Sequence, residues 1–380
     1  MGFQKTESHA AVPLWSVHRD QFPVTKRLIY LNHAAVAPLC RPARDAMRRL
    51  ADDVCDFGSY HYNEWLDAYQ GLRVAAARLI NARPDEIAIV KNTSEGIATL
   101  ALGIAWRPGD RVVGFQEEFP ANYYPWERLK SKGVQVDWLS ATDPLDRIDE
   151  ACRGARLLAI SFVQYLSGFR ANLNAIGEIC RRHGCFFFVD AIQGLGAFPL
   201  DVEASGIDAL AADGHKWLLG PEGCGILYIR KDRQDEIEPV EFGYTNVAVN
   251  DYSVRDMTLR PDASRYEPGT LNTIGILGLQ AAIGFLLEVG VERIAPEVQS
   301  IAGQIATGVV RKNYELLGTR TPESASGIVS FRKRDLDSRV LFHRLKDEGI
   351  VVASRSGWVR ASPHFYISPD DVERFLQALP

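Results

Sequence analysis

Short apolar runs that alternate with amphipathic stretches dominate the middle of the chain and constrain its fold more than any other feature. Seven such runs, rich in β-branched and aromatic residues, occupy positions 87–90, 111–115, 134–139, 157–163, 185–191, 209–213 and 224–229. Between several of them apolar residues recur at helical spacing, as at positions 173, 176, 179 and 180. Strands that alternate with helices indicate βαβ units and a mainly parallel sheet covered on both faces, which is the α/β class.

The pattern changes after residue 270. Two long helical patterns cover 273–289 and 293–317, and they are followed by a strand at 328–332, a helix at 337–348, strands at 350–354 and 359–365, and a last helix that begins at Pro369. This α+β pattern indicates a second, smaller domain. We therefore predict an N-terminal segment 1–28 that packs on the small domain, a large domain 29–290, and a small C-terminal domain 291–380.

Charge and cysteine usage exclude several classes of function. The 43 Lys and Arg residues nearly balance 48 Asp and Glu, for a net charge of −5, so no basic face for nucleic acid or an anionic membrane is indicated. The six cysteines include no C-x-x-C pair, which predicts no metal site and favours a reducing cytoplasm. No signal peptide is recognisable at the start, and no apolar run approaches the ~18 residues of a membrane helix.

The segment Asp213-Gly-His215-Lys216-Trp217 ends an apolar run and precedes a glycine-rich stretch. Open α/β sheets bind their ligands just beyond strand ends, which is where this lysine falls. Its apolar neighbours indicate a partly buried ammonium, and desolvation lowers the pKa of a lysine and makes the amine nucleophilic. The alternative is an ordinary solvated loop lysine.

Two further segments carry chemistry at strand ends. Asp190 ends a run too apolar for a surface strand, so its carboxylate requires a partner, which is an N-cap, an arginine or a pyridinium nitrogen. Thr93 and Ser94 open a helix directly after the first run, and a helix start with hydroxyl residues suits a phosphate. A capping box with the following glutamate explains the same residues, and the two interpretations are compatible.

A phosphate cradle, a buried carboxylate and a lysine together meet the needs of pyridoxal 5′-phosphate. The motifs Val189-Asp190-Ala-Ile-Gln193 and Gly214-His215-Lys216, with similarity from Tyr30 to the C-terminus, resemble the class V aminotransferase superfamily, the cysteine-desulfurase-like enzymes of fold type I. The resemblance implies an α/β large domain with a mainly parallel seven-stranded sheet covered by helices, and a smaller α+β C-terminal domain.

The resemblance also implies roles for the cofactor-side residues. Lys216 would form the Schiff base with pyridoxal phosphate and Asp190 would contact the pyridinium nitrogen, while Gln193 would bond the phenolic oxygen. Phe119 falls where relatives stack an aromatic residue, usually histidine in desulfurases, on the ring. The phosphate ligands implied are Thr93, Ser94 and His215. Asp213 replaces the usual hydroxyl residue of the family and is not counted as a ligand.

Further implied contacts concern the substrate and a second subunit. Thr270 lies in a segment that resembles the family's E-x-G-T-x-N motif, whose threonine reaches the phosphate of the neighbouring subunit, so a homodimer with shared active sites is expected. Arg360 lies in a segment that resembles the family's R-x-S strand, whose arginine holds the substrate α-carboxylate by a bidentate contact. His33 and Arg355 are further substrate-side candidates.

One absence bears on the reaction. Desulfurases carry a nucleophilic cysteine between an R-x-G element and the R-x-S strand, but here only Trp358 and Val359 separate Arg355-Ser-Gly357 from Arg360, and no cysteine lies beyond Cys224. Relatives without that cysteine resemble isopenicillin N epimerase-like enzymes and C–S lyases. We therefore predict a pyridoxal-phosphate enzyme that forms an external aldimine and a Cα carbanion from an α-amino acid.

Three outcomes remain open after Cα deprotonation. A lyase outcome is favoured, with epimerisation second and transamination third. A hypothesis of a different class is a pyridoxal-phosphate-binding regulator without turnover. It is disfavoured because no helix-turn-helix pattern precedes the first strand.

Overall fold

The computed structural model describes residues 12–249, 251 and 253–380. Within that part of the chain, the α-helices are α1 Leu14–His18, α2 Arg41–Phe57, α3 Tyr62–Ile80, α4 Thr93–Gly103, α5 Tyr124–Arg128, α6 Leu145–Cys152, α7 Leu173–His183, α8 Thr273–Val289, α9 Val291–Arg311, α10 Ser338–Asp347 and α11 Pro369–Ala378. The strands are β1 Ile29–Tyr30, β2 Ile87–Val90, β3 Arg111–Phe115, β4 Gln135–Leu139, β5 Leu157–Ser161, β6 Phe186–Asp190, β7 Ala209–Asp213, β8 Gly225–Ile229, β9 Glu315–Leu316, β10 Val329–Arg332, β11 Ile350–Val351, β12 Ala353–Arg355 and β13 Trp358–Ala361.

A seven-stranded sheet in the order β2-β8-β7-β6-β5-β3-β4 forms the centre of the molecule. All neighbours pair in parallel except β8, which is antiparallel to both β2 and β7. Each of the seven apolar runs contributes one strand to this sheet. The α/β prediction with a mainly parallel sheet is therefore confirmed.

The sheet is buried on both faces because alternate side chains of each strand enter different cores. In β2, Ile87 and Ile89 belong to one hydrophobic cluster, whereas Ala88 and Val90 belong to the other. Strands that are buried on both faces lose the hydrophobic–polar alternation of a half-exposed strand. This explains why the runs read as continuous apolar segments.

The C-terminal part contains a four-stranded antiparallel sheet in the order β12-β13-β10-β9. Two sequence-based boundaries were wrong here. The helix predicted to reach residue 317 ends at Arg311, since Asn313 adopts a left-handed backbone with φ +63°, and the short β9 follows. The strand predicted to reach residue 365 ends at Ala361, and Pro363 just beyond it has no N–H to donate to a ladder.

The described part of the N-terminal segment contacts the C-terminal part of the chain. Arg19 forms an ion pair with Asp371 at 2.5 Å, and the Phe22 ring stacks on Tyr366 with centroids 3.6 Å apart. Strand β1 pairs in parallel with β11. Residues 1–11 of the predicted segment 1–28 lie outside the described residues, and the division of the chain at residue 290 stays a prediction.

Helices α8 and α9 meet at Gly290 with an 84° bend. Among the described residues no single helix is long and apolar enough to cross a membrane. Only these two helices taken together, across their bend, have the required length and composition.

Candidate active site

A cavity of about 380 Å³ opens at the carboxyl edge of the central sheet. Nine of the eleven site residues predicted from the sequence line it, together with several residues that were not predicted. The nine are Thr93, Ser94, Phe119, Asp190, Gln193, His215, Lys216, Arg355 and Arg360. Residues more than 260 positions apart in sequence therefore meet in one place.

The topology of the sheet accounts for this convergence. Asp190 is the last residue of β6, Lys216 follows the end of β7 by three residues, and Thr93 begins α4 just after β2. Since β2, β6 and β7 run in the same direction, their carboxyl ends meet at one edge. Ligand sites of open α/β sheets form at this edge.

Asp190 is a fully buried carboxylate in the floor of the cavity. Its Oδ1 accepts a 3.1 Å hydrogen bond from the backbone N–H of Ile192. Burial raises the pKa of Asp190 to about 6, against the opposing effects of the Ile192 N–H and the Lys216 ammonium. A cationic ring nitrogen beside this carboxylate would favour its charged form and lower that pKa again.

Lys216 is the amine of the site. Burial lowers the pKa of Lys216 to about 8, while the nearby Asp190 carboxylate opposes the shift and the Arg360 guanidinium adds to it. The ammonium nitrogen lies 5.7 Å from the centroid of the Phe119 ring. A lysine with this pKa is unprotonated in an appreciable fraction of molecules near neutral pH, so it can attack a carbonyl carbon.

The start of α4 lies at the cavity, and the first two residues of this helix, Thr93 and Ser94, carry hydroxyl groups. The N-cap is Asn92, whose extended backbone places its Oδ1 to accept a 2.9 Å hydrogen bond from the Glu95 N–H. Capping therefore does not occupy the hydroxyls of Thr93 and Ser94. Thr93 Oγ1 accepts a 3.0 Å hydrogen bond from the Asp213 N–H, which fixes the oxygen and leaves its hydrogen to donate to an anion.

His215 and Asp213 form a pair beside this helix start. His215 Nδ1 lies 3.0 Å from Asp213 Oδ2, and the buried Asp213 Oδ1 has no hydrogen-bond partner among the described residues. A proton on Nδ1 would keep the carboxylate paired. The 3.0 Å contact lacks hydrogen-bond geometry, since the buried His215 Nδ1 also has no hydrogen-bond partner among the described residues.

Gln193 has a fixed side-chain amide. Its Nε2 donates to the Ala34 carbonyl oxygen and its Oε1 accepts from the indole N–H of Trp217, both at 2.9 Å. An amide nitrogen carries two hydrogens, so one donor remains for a ligand oxygen.

Arg360 is a buried guanidinium on β13. Its Nη1 donates to the Tyr165 carbonyl oxygen at 2.6 Å, while its buried Nε has no hydrogen-bond partner within the described chain. Burial lowers the pKa of Arg360 to about 10, and the nearby Arg355 guanidinium lowers it further. A buried cation with an unused donor is suited to bind a carboxylate.

Glu118 is a functional candidate that the sequence analysis missed. The buried carboxylate accepts hydrogen bonds from the Ser161 N–H at 2.7 Å, from Gln164 Nε2 at 3.0 Å, and from the Ser161 hydroxyl. Burial raises the pKa of Glu118 to about 7. These bonds anchor the residue that precedes Phe119. A carboxylate three residues after the end of β3 was a usable signal, since it falls at the same sheet edge as Asp190.

Two predicted site residues do not line the cavity. The His33 ring is fully buried, with Nδ1 2.8 Å from the Ser362 carbonyl oxygen and Nε2 2.6 Å from the Tyr366 hydroxyl. Both ring nitrogens are occupied, so the structure does not bring His33 to a substrate. Thr270 lines a separate cavity of about 230 Å³, and its hydroxyl lies 2.9 Å from the Tyr244 hydroxyl.

The hairpin at the mouth of the cavity is as short as a hairpin can ordinarily be. Arg355 of β12 pairs with Trp358 of β13, so only Ser356 and Gly357 form the turn. Both have left-handed backbones, with φ +49° and φ +81°, as a two-residue turn of this kind requires. The six cysteines are free thiols and none of them lines the cavity.

Comparison with known proteins gives a consistent result. Residues 29–375 match the family model described as aminotransferase class-V. A probable cysteine desulfurase from Pyrococcus abyssi is 31% identical over 95% of this chain and 96% of its own length. The solved structure of an apo cysteine desulfurase from Thermococcus onnurineus NA1 superposes with a TM-score of 0.89 at 27% identity, and 97% of each chain is covered.

A second solved structure, the cystine C–S lyase C-DES in complex with its product cysteine persulfide, has a TM-score of 0.88 at 24% identity over 94% of this chain and 98% of its own. At that identity the likeness shows the shared fold alone. The family match covers nearly the whole chain and includes the sheet edge where the lysine, the carboxylate and the helix start converge. The chain therefore belongs to the class-V aminotransferase family of pyridoxal-phosphate-dependent enzymes.

Proposed function

We propose that this enzyme is a C–S lyase, which breaks the Cβ–S bond of a sulfur-containing amino acid by β-elimination and releases the sulfur product into solution. The observation that carries the proposal is the two-residue turn between β12 and β13. It leaves no loop at the cavity that could hold a sulfur-accepting cysteine. The names of the relatives, desulfurase and cystine C–S lyase, support a sulfur-containing substrate.

The residues of the cavity fit pyridoxal 5′-phosphate. Lys216 supplies the amine for its carbonyl group, Asp190 the carboxylate for its ring nitrogen, and the α4 start with Thr93 and Ser94 the donors for its phosphate. When bound, the cofactor supplies an electron-withdrawing ring that makes the Cα proton of an attached amino acid acidic. The raised pKa of Asp190 supports this fit, because a buried carboxylate of this kind gains from a cationic partner.

The substrate-side residues define how an amino acid would be held. Arg360 would bind the α-carboxylate, since its unused Nε and its Nη groups can form two parallel bonds to a carboxylate. Lys216 would then act as the general base at Cα, because its nitrogen lies in the same cavity and its pKa of about 8 allows it both to accept and to return a proton. The Phe119 ring lies over the lysine nitrogen, with 5.7 Å between the nitrogen and the ring centroid, and offers it an apolar face.

The fate of the sulfur follows from the absence of a thiol at the site. During β-elimination the Cα proton is removed, a Cα–Cβ double bond forms, and the sulfur leaves with the electrons of the Cβ–S bond. No described residue of the cavity offers a cysteine to receive that sulfur. The sulfur therefore departs as a thiolate or a persulfide, and the remaining three-carbon fragment hydrolyses to pyruvate and ammonia.

The products made from cysteine and cystine test this proposal. We expect pyruvate and ammonia in equal amounts, together with sulfide from cysteine or cysteine persulfide from cystine. The variant Cys55→Ser should be as active as the parent, since Cys55 is the exposed thiol and lies on α2, outside the cavity. Alanine as the product would instead indicate transfer of sulfur to a protein thiol, and racemised substrate without pyruvate would indicate an epimerase.

Replacement of the lysine tests the site. We expect Lys216→Ala to lose the yellow cofactor absorbance and the covalent adduct that borohydride traps, because no other lysine among the described residues lines the cavity. The protein should stay folded, since the substitution removes a desolvated ammonium. The control is Lys132→Ala, which replaces an exposed lysine at the end of a short helix before β4 and should behave like the parent. A trapped adduct at another lysine with full turnover would refute the assignment.

Replacement of the carboxylate tests the electronic role of Asp190. In Asp190→Asn the covalent adduct should still form, but turnover should fall roughly ten- to a hundredfold, because a buried charge-assisted hydrogen bond is worth ~1.5–3 kcal/mol. Steady-state kinetics and the cofactor spectrum together measure this. Asp208→Asn is the control, because Asp208 is also buried but pairs with Arg230 and Arg233 away from the cavity. Wild-type turnover in Asp190→Asn would mean that another group serves the ring nitrogen.

A homodimer with shared active sites is a further part of the proposal. Thr270 lies outside the cavity of its own chain, as expected for a residue that serves the neighbouring subunit.

Sedimentation and cofactor titration test the shared site. The enzyme should sediment as a dimer, and Thr270→Val should weaken pyridoxal phosphate binding while the dimer persists, because only a hydroxyl donor is lost. Thr307→Val, at an exposed position of α9, is the matched control and should leave binding unchanged. A monomer that binds the cofactor as tightly as the parent enzyme would contradict the shared-site model.

A further inference from the structure

Three cysteines form a buried cluster remote from the active site. The sulfur atoms of Cys152, Cys180 and Cys185 all lie within 4.8 Å of one another, and all three residues are buried free thiols. Cys152 is the last residue of α6, Cys180 lies in the last turn of α7, and Cys185 directly precedes β6. The sequence spacing of the cysteines had predicted no metal site, since the three residues are brought together only by the tertiary fold.

The end of α7 explains how two of the thiols meet. Gly184 adopts a left-handed backbone with φ +63°, and the Cys185 N–H returns to the Cys180 carbonyl oxygen at 2.9 Å. This is the Schellman arrangement, which packs the side chain just after the helix against the last helical turn. Helix α6 packs on α7 and adds Cys152 to the pair.

The surroundings of the cluster favour a cation. Both α6 and α7 end at the cluster, so the negative ends of two helix dipoles converge there. Buried thiols can also pack as small apolar groups, but that role does not require three sulfur atoms to meet at one point.

Cationic side chains near the protein surface would balance the negative charge of thiolates that bind an ion. Next to the cluster, Asp149 contacts Arg182 at 2.9 Å and His183 at 3.0 Å. Both side chains are mostly buried, with 17% of His183 and 19% of Asp149 exposed, so this ion pair lies close beneath the surface.

We propose that the three-cysteine cluster binds one soft, thiophilic metal ion, and that Cu(I) is the ion it fits. Thiolate sulfur selects soft ions, of which Cu(I) and Zn²⁺ are the common ones. Zn²⁺ nearly always takes four ligands in structural sites, whereas the cluster offers three. An ion about 2.3 Å from each sulfur requires sulfur–sulfur separations of about 4 Å, which the observed limit of 4.8 Å accommodates.

This site is separate from the catalytic chemistry. Cys185 precedes the first residue of β6 and Asp190 is its last, so the strand of five residues places the two at opposite edges of the sheet, about 17 Å apart. Binding displaces thiol protons and involves no electron transfer. The proposal therefore does not depend on the proposed lyase function.

A copper titration tests the cluster. The holoenzyme in a Cys55→Ser background, which removes the exposed thiol, is titrated anaerobically with Cu(I) against a chromophoric Cu(I) chelator. We expect one Cu(I) per chain, and an affinity that falls at least about tenfold in each of Cys152→Ala, Cys180→Ala and Cys185→Ala. Cys40→Ala is the matched control, since Cys40 is buried but lies outside the cluster, and it should bind like the parent.

A second readout separates loss of a ligand from loss of structure. Cu(I) should raise the melting temperature of the parent and of Cys40→Ala, but not that of the cluster variants, because a ligand stabilises only a fold that binds it. Unchanged cofactor absorbance identifies the variants that remain folded. Failure of the parent to compete for Cu(I), or binding by the three cluster variants that is as tight as that of the parent, would overturn the proposal. Binding of Zn²⁺ that is tighter than binding of Cu(I), and that is lost in His183→Ala, would overturn the assignment of a three-coordinate copper site.

Discussion

The burial of the central sheet on both faces is the constraint from which the active site follows. Its strands carry apolar side chains toward two cores, so hydrogen-bonding and charged groups are displaced to the strand ends. At the carboxyl edge, β5 ends in Ser161, β6 in Asp190 and β7 in Asp213. The polar residues of the enzyme are therefore concentrated where helix starts and loops can supply them with partners.

Desolvation acts on the two central groups of the site in opposite directions. It raises the pKa of Asp190 from 3.8 to about 6 and lowers that of Lys216 from 10.5 to about 8, so each group is moved toward its neutral form. A cationic ring nitrogen beside Asp190 would restore the charged form of the carboxylate. A covalent bond from Lys216 to the cofactor would replace the buried ammonium. The unfavourable electrostatics of these residues thus favour the cofactor.

The sequence predicted the parts of the fold that repeat a simple pattern. All seven strands of the sheet were located, because strands buried on both faces give uninterrupted apolar runs. The end of α9 and the short β9 were missed, since a left-handed Asn313 and a two-residue strand leave no periodic signal. Single-residue backbone states of this kind depend on tertiary contacts.

Site residues that directly follow strand ends were predicted from the sequence. Residues whose position depends on packing against distant parts of the chain were not. Asp190 and Lys216 could be found from their positions after apolar runs. His33 was expected near the substrate, but Ser362 and Tyr366, more than 320 residues away in sequence, occupy both of its ring nitrogens. Glu118 was overlooked because its partners Ser161 and Gln164 belong to another strand and its loop.

The short hairpin and Phe119 together restrict which sulfur groups can leave. The turn of Ser356 and Gly357 leaves no loop in this hairpin for an acceptor cysteine, and the phenyl ring of Phe119 has no proton to donate to a departing sulfur atom. A sulfur group that receives no proton from Phe119 leaves more readily the lower its own pKa is. A persulfide is a more stable anion than an alkyl thiolate, so we expect disulfide amino acids to be better substrates than S-alkyl cysteines. The geometry that removes persulfide transfer to the protein thus also favours substrates that already contain the second sulfur.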